Sequence, residues 1–182
     1  MKLLRHVLIL LAGLSSVACT LNSVRLLPAG SAPSAKRAVI VYGVQVVGAW
    51  DYAGYQVQVA EYDIEKQNIT GNCFRFNRAE AVVSSVPGAV NYFAFDVPAG
   101  HYVYSPFNGA RMDGDSFAFE APAGQSVYLG SFRFEKNKMV SLARNFEPVM
   151  DEVNRALPGL QGQVSLAKAT TVKRPFPFLC AP

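Results

Sequence analysis

The chain has 182 residues, 51% of them hydrophobic and 16% charged, with a formal net charge of +4. That is enough apolar material for one domain with its own core, too little chain for two of ordinary size, and the wrong composition for disorder, which pairs low hydrophobicity with high net charge. Without Lys2 and Arg5, which lie in a leader, 15 basic residues face 13 acidic ones, so the dense basic face that nucleic-acid binding needs is missing.

From Met1 the order of residues is that of an export signal. Lys2 and Arg5 supply positive charge, Val7 to Leu14 is a short apolar run, and Ser15, Ser16, Val17 and Ala18 are mostly small. The run falls short of the roughly 20 residues that a membrane-spanning helix needs. Cys19 directly after Ser16-Val17-Ala18 resembles the lipobox of bacterial lipoprotein precursors, with Ser16 where the family usually has Leu. The resemblance implies cleavage before Cys19 and lipid on its sulfur. The other reading is ordinary signal cleavage after Ala18, which the same small residues also suit. Thr20 stands where an Asp would retain a lipoprotein at the inner membrane, so the resemblance implies the outer membrane.

Three cysteines leave one unpaired in an oxidising compartment, and lipid on Cys19 accounts for it. Cys73 and Cys180 are then a candidate disulfide, closing a loop of about a hundred residues with an entropic effect of ~4 to 5 kcal/mol. Two buried thiols are the alternative.

The boundaries expected are a leader over 1–18, lipidated Cys19 with a flexible tether over 19–36, and one domain over 37–182. The stretch Leu27-Pro28-Ala29-Gly30-Ser31-Ala32-Pro33-Ser34 has tether composition, and fully extended the tether would reach ~50 to 60 Å. Beyond it, short runs of Val, Ile, Phe and Tyr broken by Gly, Pro, Asn and Asp predict strands. Ala38 to Val47 is nearly all apolar, as in a strand covered on both faces. Tyr55, Val57 and Val59 alternate with Gln56 and Gln58, and Phe74 and Phe76 alternate with Cys73, Arg75 and Asn77.

A repeat follows: Phe93-Ala94-Phe95-Asp96-Val97-Pro98-Ala99-Gly100-His101-Tyr102-Val103-Tyr104 recurs as Phe117-Ala118-Phe119-Glu120-Ala121-Pro122-Ala123-Gly124-Gln125-Ser126-Val127-Tyr128. Each copy predicts a hairpin turning at Pro-Ala-Gly, with its two Phe residues on one inward face. Val149, Met150, Val153 and Leu157 form a helical stripe, so Glu147 to Leu157 predicts a short amphipathic helix that packs on the sandwich or docks a partner. Short strands are expected at Gln163 to Ala167 and Thr170 to Lys173. The fold class is therefore mostly β: an antiparallel β-sandwich with one short amphipathic helix in the C-terminal half.

The motif Asp96-Val97-Pro98-Ala99-Gly100-His101-Tyr102 and its second copy at Asp-like Glu120 through Tyr128 resemble a family of small bacterial lipoproteins of unknown function, whose β domain carries strands ending in Pro-x-Gly-x-Tyr. Ser126 stands in the place of Tyr102. The resemblance covers about a quarter of the chain and implies an envelope location and a sandwich, without an activity.

Catalytic signals are sparse. The two histidines are His6, lost with the leader, and His101, which follows a turn glycine and reads as a strand-edge side chain. A multi-histidine metal site within the mature chain is excluded. Ser165-Leu166-Ala167-Lys168 matches a Ser-x-x-Lys element without its companion motifs. Asp113-Gly114-Asp115 offers two carboxylates where a calcium loop supplies about 6 to 8 oxygens, and reads as a polar turn. Asn68-Ile69-Thr70 reads as a loop. No cofactor is expected.

What remains is a surplus of aromatic residues, densest at Trp50-Asp51-Tyr52-Ala53-Gly54-Tyr55. Trp50, Tyr52 and Tyr55 suit either core packing or a platform for a partner, since Trp and Tyr combine large contact area with a polar handle. The expectation is a noncatalytic envelope lipoprotein, held to the membrane through Cys19, that interacts with an envelope protein or cell-wall glycan. The alternative is an envelope enzyme acting on glycans through carboxylates too scattered to recognise.

Overall fold

A computed structural model describes residues 21–72, 74–105 and 110–176 of the chain. Within them are fifteen strands and one α-helix, and thirteen of the strands build two packed sheets: a mostly-β sandwich.

The first sheet centres on β3 (Arg37–Val46), paired on one side with β8 (Asn91–Pro98) and on the other with β12 (Ser126–Phe134). It is completed by β2 (Arg25–Leu26) beside β8, and by β13 (Met139–Ala143) and β14 (Val164–Leu166) at opposite ends of β12. The short β10 (Arg111–Met112) lies beyond β13. The second sheet runs β15 (Ala169–Val172), β11 (Ser116–Ala121), β9 (Gly100–Ser105), β4 (Gly54–Asp63), β5 (Asn68–Ile69), with β7 (Arg78–Ser84) also along β4. A two-residue pair, β1 (Leu21–Asn22) with β6 (Arg75–Phe76), lies apart from both.

Alternation decides which side chains meet between the sheets. Ile40, Tyr42 and Val44 of β3, Phe95 and Val97 of β8, and Phe132 and Phe134 of β12 enter one core with Tyr55, Val57 and Val59 of β4, Tyr102 and Tyr104 of β9, and Phe119 of β11. The other side of β3 is also covered, as its unbroken apolar run requires. Val39 and Val41 lie with Ala94 and Tyr128 under α1 (Phe146–Ala156). Val153 on the expected helical stripe is fully buried there, with Val149, Met150 and Leu157 around it. The stripe of α1 is thus taken up by its own sheet.

The sandwich differs from the expected one in three respects. First, neither copy of the repeat is a hairpin. β8 lies in the first sheet and β9 in the second, while β11 lies in the second and β12 in the first. Pro98-Ala99-Gly100 and Pro122-Ala123-Gly124 are corners at which the chain changes sheets. For the first copy the reason is parity: a hairpin closed by those three residues would put Phe95 and Tyr102 on opposite faces of one sheet, leaving an aromatic face in water. Crossing over puts both into the same core. The Tyr102 hydroxyl braces this corner by donating to the Pro98 carbonyl at 2.8 Å, the geometry of a tyrosine corner. At the second corner Gly124, with φ +75°, donates its N–H to Arg37 O at 2.7 Å and so delivers β12 to the side of β3. The inner pair Phe95 and Phe119 is buried, whereas Phe93 and Phe117 are half-buried at the rim of the core.

Second, the first sheet is mixed. β12 runs parallel to β3 and to β14, and β10 runs parallel to β13. The crossings from β3 to β4 and from β11 to β12 carry the chain from one sheet to the other, so β3 and β12 meet as neighbours from distant segments and need not be antiparallel. Their register slips once, between Tyr128 and Gly130. Gly130, at φ +134°, turns that bulge where a Cβ would fall 2.8 Å from Ala143 O.

Third, the segment expected as a tether is docked from Leu21 onward. β1 and β2 are paired, Val24 is buried in the core, and Gly30 N donates to Gly159 O at 2.8 Å. An ion pair holds it as well: Asp96 accepts from Arg37 Nε at 2.8 Å and from Arg25 Nε at 3.2 Å, and Arg37 Nη2 donates to Ser23 O at 2.8 Å. Composition alone reads Pro, Ala, Gly and Ser as loose chain, but partners for the backbone come from the open edge of β8. Cys19, Cys73 and Cys180, with the whole leader, lie outside the described residues. No described helix is long and apolar enough to cross a membrane.

Candidate binding surface

The aromatic cluster occupies the loop joining β3 to β4, across the sheets. Val47 N and Gly48 N both donate to Phe134 O, at 2.9 and 3.0 Å, which pins the start of the loop to β12. Trp50 Nε1 then donates to Gly54 O at 3.1 Å and closes the loop on itself. Trp50 sets its ring edge-on to Phe134 at 4.9 Å and to Tyr55 at 5.5 Å. Its other side meets Tyr52 at 5.3 Å.

Tyr55 is therefore not part of a surface. It is fully buried, packed 4.7 Å from Phe134, because it shares the inward face of β4 with Val57 and Val59. Tyr52 is 66% exposed and Trp50 half-buried. Between them and Gln56 lies a shallow hollow of about 260 Å³. The surface the fold presents is thus Trp50, Tyr52 and Gln56: two rings and an amide, with the rings anchored from below by Phe134 and Tyr55. Gln56 was legible as the outward neighbour of Tyr55, but nothing local marked it as a lining residue.

A second hollow, of about 460 Å³, lies where the chain after α1 passes the second corner, lined by Gln125, Gln161, Gln163, Ser126 and Ser165 among others. Its polar lining is neutral, and the Ser126 hydroxyl beneath it is buried without a hydrogen-bond partner.

Acid–base groups are dispersed or committed. Asp96 is held by two arginines, and Glu61 accepts from Thr70 Oγ1 at 2.9 Å and Asn77 Nδ2 at 2.7 Å. Glu80 accepts from Arg78 Nε at 2.6 Å, and Glu135 from Ser141 Oγ at 2.9 Å. Asp113 and Asp115 are exposed on the turn at Gly114, His101 is half-exposed on β9, and Ser165 on β14 and Lys168 just after it are exposed. Among the described residues no group of three or more His, Cys, Asp or Glu side chains comes together as a metal site. Burial pushes the Tyr55 hydroxyl far above its ordinary value and Tyr104 up to about 12, so both stay protonated at neutral pH. The chemistry on offer at the Trp50 loop is aromatic stacking.

No protein-family model, curated protein or solved structure matches this chain.

Proposed function

We propose that this chain is a noncatalytic lipoprotein of the bacterial cell envelope, attached through lipid on Cys19 to the outer membrane, whose sandwich serves as an interaction module for an envelope protein or a cell-wall glycan. It belongs, on this reading, with the small lipoproteins that carry Pro-x-Gly-x-Tyr strands. Cys73 and Cys180 form its one disulfide.

The observation that carries the interaction reading is the exposed Trp50–Tyr52 pair, held on a loop that is fixed at both ends. Rings that are already immobile lose little entropy when a partner covers them, and a sugar face or an aliphatic side chain stacks on them without a charge of its own. The signal-like leader and the position of Cys19 in the sequence support the envelope location.

The test uses the intact protein purified from membranes in detergent. Sedimentation with purified cell-wall sacculi reads glycan binding, and a photo-crosslinking amino acid in place of the exposed Asp51, beside Tyr52 on the loop, reads a protein partner in cells. The expected result is retention on sacculi, or one discrete crosslinked species. Tyr52→Ala weakens either by about 1 kcal/mol or more, roughly five- to tenfold, as loss of an interfacial aromatic anchor does. Neither retention nor a discrete crosslink, with the protein folded and membrane-bound, would remove the basis for this reading.

A further inference from the structure

We infer that the corner formed by Leu21, Phe74 and Arg75 rests in the headgroup layer of the bilayer, so that the sandwich stands end-on at the membrane with its Trp50 loop facing away. The inference rests on the lipid attachment proposed for Cys19.

The chain is fixed from Leu21 onward. Leu21 N donates to Phe74 O at 2.7 Å, Leu21 pairs with Arg75 and Asn22 with Phe76. Asn22 Nδ2 then donates to Arg78 O at 2.8 Å, and Ser23 Oγ to Asn77 Oδ1 at 2.5 Å. One residue, Thr20, separates this docked segment from Cys19. Two steps of about 3.8 Å give a reach of at most ~7.6 Å. The headgroup layer on each side of the hydrocarbon is itself roughly 5 to 7 Å thick. With its glycerol link seated at the acyl boundary, the lipidated cysteine therefore keeps Leu21 inside the headgroup layer or within roughly 7 Å of it.

The side chains at that point suit the environment. Leu21 is 62% and Phe74 65% exposed, and the exposed Arg75, paired with Leu21, follows Phe74 in the chain. Single exposed apolar residues are ordinary. Two beside a cation, at the exit of a lipid anchor, combine apolar burial at the acyl boundary with attraction to anionic headgroups.

The fold sets the orientation. Arg37, at the start of β3, bonds to Ser23 O, and β3 ends at Val46 just before the Trp50 loop. Likewise Glu61 N on β4 donates to Asn77 O, while Gly54, at the other end of β4, accepts from Trp50. Ten residues of strand at about 3.3 Å each separate the two ends by ~30 Å.

Trp50 is the sole tryptophan, so depth is read by fluorescence. The lipidated full-length protein is reconstituted into phosphatidylethanolamine–phosphatidylglycerol vesicles with acyl chains brominated near the headgroup. In a Trp50→Phe background, Phe74→Trp is expected to lose most of its emission, whereas Trp50 in the wild type keeps its own. Leu21→Trp gives the same readout if Phe74→Trp does not fold. A tryptophan at either position quenched no more than Trp50, in protein whose mass shows lipid on Cys19, overturns the end-on contact and leaves the anchor standing. So does a dimer crosslinked through this corner. Absence of lipid on Cys19 overturns the anchor and the contact together.

Discussion

At the scale of single residues, position along a strand and distance from the ends of the core decide what each aromatic ring does. Phe95 and Phe119 are 3% and 1% exposed, on facing sheets of one core, while Phe93 and Phe117 are half-buried at its rim. Phe95→Ala or Phe119→Ala should each destabilise the protein by about 3 to 5 kcal/mol in a urea titration, the range for deleting a buried ring. His101→Ala and Gln125→Ala should stay within about 0.5 kcal/mol, since neither side chain fills the core. Equal losses in both pairs would mean that the strand faces are misassigned. Tyr55 shows how one residue can satisfy two sequence readings at once. Its neighbours in the chain made it part of an exposed aromatic cluster, yet its alternation with Val57 and Val59 already placed it inside. Alternation prevails because burying a full aromatic face outweighs the clustering of residue types.

Among the elements, local patterns were legible and long-range pairings were not. The helical stripe predicted Glu147 to Leu157, and α1 runs from Phe146 to Ala156. The runs at Gln163 to Ala167 and Thr170 to Lys173 became β14 and β15. The repeat signalled strand, turn and strand correctly, but Pro-x-Gly chemistry serves a corner between sheets as well as a hairpin within one. Only the parity of Phe95 and Tyr102 separates the two. The parallel pairing of β12 with β3 joins segments almost ninety residues apart in register, as with Ser126 and Val39, and no local signal encodes that. The docking of the supposed tether was hidden likewise, for its anchor is an ion pair across the fold. Asp96, with its side chain 10% exposed, bonds Arg37, which is 25% exposed, and Arg25, which is 74% exposed. Asp96→Ala leaves the Arg37 guanidinium enclosed without its carboxylate and should lower stability by about 2 to 3 kcal/mol. Arg25→Ala, at the solvent-exposed end of the pair, should remove under about 1 kcal/mol. Amide exchange of Arg25 and Leu26 should accelerate in the Asp96 variant. Unchanged exchange there would mean that the backbone pairing of β2 with β8 holds the segment without the ion pair.

For the whole molecule, the sandwich has two unlike ends joined by strands of about ten residues. One end gathers the docked amino-terminal segment, the Arg37–Asp96 pair and the corner braced by Tyr102; the other carries the Trp50 loop. The anchor proposed at Cys19 would give this polarity a meaning, since it would set one end at the membrane and leave the other open to a partner. The claim on which the rest depends is that Cys19 carries lipid and begins the mature chain. Intact-mass analysis of protein extracted from membranes, without reduction, tests it directly. The expected species starts at Cys19, bears acyl chains on that residue, and shows the mass deficit of one disulfide between Cys73 and Cys180. A chain that starts at Cys19 with no added lipid, recovered from the soluble fraction, would contradict the anchor and leave ordinary signal cleavage after Ala18 as the reading.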